Sequence, residues 1–89
     1  MINISIEWGY PLDEAAGAKK TEESLKEACT VRQLIDLQVS RYPKLYDALE
    51  HNADGEVGIM VIKGARMLMD RDVIRDSCTL SFMVPLTGG

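Results

Sequence analysis

The chain has 89 residues, 46% of them hydrophobic and 27% charged, with a formal net charge of −4. That length allows one domain without a second core, and the composition is that of a folded chain rather than a disordered one. The acidic balance argues against nucleic acid or an anionic membrane as the partner, and it suits a basic protein surface.

Ile2, Ile4, Ile6 and Trp8 alternate with Asn3, Ser5 and Glu7, a period of two that predicts a half-buried strand at the start of the chain. Gly9, Pro11 and Gly17 interrupt it, so residues 9–20 read as a loop with one helical turn at Leu12–Ala16. Residues 24–28 read as a short second strand. Thr30 is a suitable N-cap, and Val31, Leu34, Ile35 and Tyr42 recur behind it at helical spacing until Pro43 ends the helix. Residues 44–51 read as an irregular turn with Leu45 and Leu49 pointing inward. Asp54-Gly55 is a turn signal, residues 57–62 are rich in β-branched side chains, and Lys63-Gly64 reverses the chain into a short strand at 66–69. Residues 70–76 are polar and turn-like, residues 80–84 form the last strand, and Pro85-Leu86-Thr87-Gly88-Gly89 follows as a tail without periodicity.

One amphipathic helix needs a sheet face to cover its apolar stripe, which gives a two-layer α+β domain. The order of elements predicts a β-grasp: a mixed sheet of four to five strands packed on one main helix. It occupies residues 1–84, with residues 85–89 as a flexible tail. In the strands around 60 and 82, Ile59, Val61, Leu80 and Phe82 share one parity, and Met60, Ile62 and Met83 share the other. If the first set faces the helix, the second forms an apolar outer patch, and Met-rich surface suits an adaptable interface. Met67 and Met69 read as core or edge packing, and the charges at 70–76 as a solvated face.

Cys29 and Cys78 have no CxxC spacing, and His51 is a lone histidine expected in a surface loop. Neither a metal site nor a Cys-His nucleophile pair is expected from them. The first residues carry no secretory pattern and no apolar run reaches membrane-spanning length, so a reducing cytoplasm is the expected location.

Leu12-Asp-Glu-Ala-Ala-Gly17, Thr30-Val-Arg-Gln-Leu-Ile35, Tyr42-Pro-Lys-Leu45 and above all Leu80-Ser-Phe-Met-Val-Pro-Leu-Thr-Gly-Gly89 carry a resemblance. The chain resembles the small subunit of molybdopterin synthase and related sulfur carriers of the ubiquitin-like superfamily. It departs from that pattern at Lys63-Gly64, at Asp76-Ser77-Cys78 and at Val84 before Pro85, none of which touches the terminal glycines. The resemblance implies that the α-carboxylate of Gly89 is adenylated and then converted to a thiocarboxylate that donates sulfur, most directly for molybdenum cofactor. It implies a carrier rather than an enzyme, with no bound cofactor and with ATP consumed by an activating partner. The implied partners are an E1-like adenylating enzyme, the large catalytic subunit of molybdopterin synthase and a sulfur-donating enzyme. Contacts to them would come from Met60, Ile62, Met83, Pro85, Leu86 and Thr87. Gly88 and Gly89 would enter a narrow site where a Cβ would meet the wall. The alternatives are a protein modifier joined to lysines through Gly89, a carrier serving thiamine, cysteine or siderophore synthesis, and a plain β-grasp interaction domain.

Overall fold

The computed structural model describes residues 1–50 and 59–84, with side chains described through Ala48 in the first segment. The elements are β1 (Ile2–Trp8), α1 (Leu12–Ala16), β2 (Lys20–Leu25), β3 (Cys29–Thr30), α2 (Val31–Arg41), α3 (Lys44–Glu50), β4 (Met60–Lys63), β5 (Arg66–Leu68), β6 (Val73–Ile74) and β7 (Cys78–Met83). Five strands form a mixed sheet in the order β2-β1-β7-β4-β5, and β3 and β6 form a separate two-stranded ladder. The central pair, β1 and β7, runs parallel, with Ile4 beside Cys78 and Trp8 beside Phe82. A parallel pair needs a long crossover, and the chain between these strands supplies it with all three helices.

The alternation of β1 has the consequence expected of it. Ile4, Ile6 and Trp8 are buried, as are Leu80 and Phe82 of β7 and Val61 of β4. They form one core with Leu12 and Ala16 of α1, Val31, Leu34 and Ile35 of α2, and Leu45 of α3. Each fully buried large side chain contributes roughly 1.5–3 kcal/mol, so this single layer between sheet and helices carries most of the stability.

Helix α2 begins where Thr30 caps it: the Thr30 hydroxyl accepts from the Gln33 amide at 3.1 Å, and the Gln33 side chain accepts from the Thr30 amide at 2.9 Å. The next amides are taken by a distant turn, Val31 donating to the Asp72 carbonyl and Arg32 to the Asp70 carbonyl. That turn thereby holds the connection after β5 against the start of the helix.

Several elements differ from their sequence reading. β2 starts at Lys20, inside the expected loop, and stops at Leu25 rather than running through residue 28. Its inward positions are Glu23 and Leu25, and a glutamate at a core position hides the alternation. Residues 44–50 form a helix rather than an irregular turn, because Pro43 suits a first helical turn and Leu45 packs fully buried behind it. The run at 70–76 is not wholly a solvated turn: Val73 and Ile74 pair with Thr30 and Cys29, and Ile74 is buried. The turn at Asp54-Gly55, residues 57 and 58 of the expected strand, the Leu49 side chain and His51 lie outside the described residues.

Candidate functional site

The site is built on the end of the sheet where β1 and β7 finish side by side. Trp8 is the last residue of β1, and its indole N–H donates to the Thr21 hydroxyl at 2.8 Å. Its ring meets Phe82 edge-on, with centroids 5.1 Å apart, and Tyr42 edge-on at 6.1 Å. Such pairs hold ring orientation as well as burying area. One residue on, the Gly9 amide donates to the Phe82 carbonyl at 2.8 Å. A Cβ at Gly9 would stand 3.3 Å from the Met83 Cβ and 3.3 Å from the Phe82 oxygen, close enough that the last strand would have to give way by a few tenths of an ångström. These contacts fix the last strand up to Met83, the point from which the chain continues to residue 84 and beyond.

The outer face of the sheet is apolar near this end. Met60 lies opposite Met83 and Ile62 opposite Ser81, while Ile62 also faces Met67 across the β4–β5 hairpin. The neighbours Val61 and Phe82 are buried, which places the helices on one side and the Met60, Ile62 and Met83 set on the other. Met60 and Ile62 are half-buried and Met83 is 37% exposed, so the register brings these three residues together on one surface. Pro85, Leu86, Thr87, Gly88 and Gly89 lie outside the described residues.

Two further methionines belong to this surface. Met67 is 53% exposed and Met69 52%, so the expectation of packing holds for neither, although Met67 does sit on an edge strand. Parity of Met67 with Ile62 across the Lys63-Gly64 turn was the signal available for it, since Gly64, with φ of 63°, fixes a tight hairpin. Gly9 was missed as well. In the sequence it reads as a loop breaker, and its close approach to Met83 depends on the parallel β1–β7 pairing, which only the assembled sheet defines.

On the same outer face Glu7 lies beside Ser81, whose hydroxyl donates to the Glu7 carboxylate at 3.5 Å, and the ion pairs among the described residues belong to the helix side or the core. Arg32 pairs with Asp36 at 2.9 Å and lies 3.8 Å from Asp70, and these carboxylates raise its already high pKa, the Asp36 hydrogen bond most of all. Glu23 is buried and accepts from the Gln38 amide at 2.9 Å and from Arg41 at 2.5 Å. Cys29 and Cys78 are half-buried free thiols, and burial pushes the Cys29 pKa up, which keeps that thiol protonated and poorly nucleophilic. Among the described residues no group of three or more His, Cys, Asp or Glu is placed to hold a metal ion. No helix among them is long and apolar enough to cross a membrane.

A mixed five-stranded sheet with a parallel central pair, grasping one main helix, is the ubiquitin-like β-grasp fold. Solved structures share it over the whole chain. Small archaeal modifier protein 1 from Haloferax volcanii is 21% identical over 98% of this chain and 99% of its own, with a TM-score of 0.77. A Pyrococcus furiosus protein described as molybdopterin converting factor, subunit 1, is 18% identical over 97% of this chain and 100% of its own, with a TM-score of 0.77. Small archaeal modifier protein 1 from Methanosarcina acetivorans is 18% identical over 100% of this chain and 98% of its own, with a TM-score of 0.71. No protein-family model matches the sequence, and neither does any curated protein.

Proposed function

We propose that the chain is a sulfur carrier that works through the α-carboxylate of Gly89. The observation that carries this reading is the construction of the sheet end. Phe82 is clasped by Trp8 and by the Gly9 amide, so the last strand is held to its end at Met83, beside an apolar face. The fold shared with proteins named as a modifier and as a molybdopterin converting factor subunit supports the same reading.

A free carboxylate is ionised at neutral pH and is a poor electrophile. In the proposed cycle its oxygen attacks the α-phosphorus of ATP on an adenylating partner, releasing pyrophosphate and leaving an acyl-adenylate. A persulfide on a sulfur-donating enzyme then attacks the carbonyl carbon and AMP departs. A thiol attacks the resulting acyl disulfide at its outer sulfur, forming a disulfide with the enzyme and freeing the thiocarboxylate. The acceptor we favour is a pterin precursor on the large subunit of molybdopterin synthase. This chain supplies the carried group, Met60, Ile62 and Met83 form the docking face, and residues 85–89 enter the partner. Ordering four tail residues costs on the order of 4–8 kcal/mol, which burial of Leu86 and backbone hydrogen bonds to the partner must offset. The setting is cytoplasmic, where a thiocarboxylate survives.

A second reading shares the adenylate and ends in an isopeptide bond to lysine, and the neighbours named as modifiers favour it. Intact-mass analysis of the protein from its native host separates the outcomes. A species heavier by the difference between sulfur and oxygen supports the carrier, a ladder of conjugates supports the modifier, and neither species, in host cells making molybdenum cofactor, refutes both.

A further inference from the structure

None of the chain's five methionines belongs to the buried core or to the side chains packed against it. Four of them gather on the outer face of the sheet. Met60 pairs with Met83 across β4 and β7, and Met67 pairs with Ile62 across the β4–β5 hairpin. Val61 pairs with Leu68, so the next position along that hairpin brings Met69 beside Met60, and both line one depression with Met67. Cross-strand neighbours of this kind stand about 4.5–5.5 Å apart at Cβ. Met67, Met69 and Met83 are exposed and Met60 is half-buried. Met1, the fifth, is exposed at the opposite end of the sheet, since β1 and β7 run parallel.

A thioether is apolar as it stands and strongly polar once oxidised. In its reaction with hydrogen peroxide a sulfur lone pair forms the S–O bond as the O–O bond breaks. The proton on the transferred oxygen passes to the departing hydroxide, which leaves as water, and the sulfur has lost two electrons. We propose that the four methionines make the docking face redox-controlled: oxidation of Met60, Met67, Met69 and Met83 to sulfoxides turns it polar and releases the protein partner. This rests on the proposed docking at Met60, Ile62 and Met83. A partner surface matched to thioethers offers no donor to the new oxygens, so each would enter the contact unpaired. The fold should survive the change, because no methionine contributes to the core. Leucine at the same positions would give a comparable apolar surface with no such response. Methionine sulfoxide reductases, one for each sulfoxide epimer, would return the face to its apolar form with a thiol as reductant.

The test treats the full chain with hydrogen peroxide, then with dithiothreitol, which returns disulfides and sulfenic acids to thiols but leaves sulfoxides, and removes both reagents. Peptide mass mapping should find oxygen added at Met67, Met69 and Met83 before Met60, and circular dichroism should show the fold unchanged. Titration calorimetry with the adenylating enzyme should give binding about tenfold weaker after oxidation, and the paired reductases should restore it. A variant carrying Met60→Leu, Met67→Leu, Met69→Leu and Met83→Leu keeps Met1 and both cysteines, so peroxide should leave its affinity where it began. Failure of the untreated wild-type chain to bind the enzyme would refute the docking face itself. Binding that withstands full oxidation, that weakens equally in the leucine variant, that the reductases do not restore, or that is lost together with the fold would refute the redox control alone.

Discussion

The Gly9 amide donates to the Phe82 carbonyl at 2.8 Å, at a point where a Cβ on Gly9 would press on Met83 and on that same oxygen. A side chain at this position would therefore strain the same hydrogen bond that ties the two strands together. Gly9→Val is expected to destabilise by about 1–3 kcal/mol, the usual cost of overpacking, and to raise amide exchange at position 9. Urea unfolding and hydrogen exchange measure the two effects. An unchanged midpoint with full protection at residue 9 would remove Gly9 from the account of how the last strand is held.

The buried polar pair gives a second prediction. Gln38 and Glu23 are 1% and 5% exposed, and the Gln38 amide donates to the Glu23 carboxylate at 2.9 Å. Gln38→Leu removes a donor from a buried charge and should cost about 1–3 kcal/mol. The double variant Glu23→Leu, Gln38→Leu removes the charge too, and should recover much of that loss. A double-mutant cycle by urea unfolding reads the coupling, and a double variant as unstable as the sum of the singles would contradict it.

This pair also marks where the sequence becomes opaque. β1, the helix start at Thr30 and the outward parity of Met60, Ile62 and Met83 follow from local periodicity and capping chemistry, and the structure places them so. β2 was displaced because an inward glutamate looks like an outward one until Gln38 and Arg41 are brought across from α2. The two-residue β3–β6 ladder is too short to show a period. Gly9, Met67 and Met69 take their roles from pairings between distant segments, which no window along the chain contains.

Cys29 links burial to pH. Its thiol pKa is raised by desolvation, so the folded chain holds this proton at pH values where the unfolded chain has released it. The resulting stability is fully present below the ordinary thiol range and is lost as pH rises through the raised value. Replacing Cys29 with Val should flatten this alkaline decline, measured as unfolding midpoint against pH. Alkylation of Cys29 should likewise start at higher pH than that of free cysteine. A Cys29 that alkylates as readily as free cysteine would contradict the burial argument.

The outer face yields a prediction about binding rather than folding. Met83→Asp should leave the thermal midpoint within a few degrees, since the side chain points away from the core and is 37% exposed. It should weaken association with the adenylating enzyme tenfold or more, because an unpaired carboxylate would be buried at the contact, at a cost of about 1.4 kcal/mol per tenfold. Titration calorimetry reads this directly. Wild-type affinity in the variant would move the docking face elsewhere.

The tail gives the sharpest separation of folding from function. Removing Gly89, or adding one residue after it, should abolish sulfur loading while barely moving the thermal midpoint. Among the described residues the last fully buried side chain is Phe82, with Val84 packed against the core, and a chain end tolerates truncation best where the fold does not bury it. Function should nevertheless vanish, because the reacting carbonyl would stand about 3.3–3.6 Å out of place along an extended chain. A site that works by positioning loses most of its rate to a displacement of that size. Gly88→Val should act in the same way through its added side chain, whereas Thr87→Ser should load normally. The assay is thiocarboxylate formation with the adenylating enzyme, ATP and a sulfur donor, followed by mass spectrometry. Full loading of a chain lacking Gly89 would refute the carrier reading, and loading lost together with the fold would show that the tail serves stability instead.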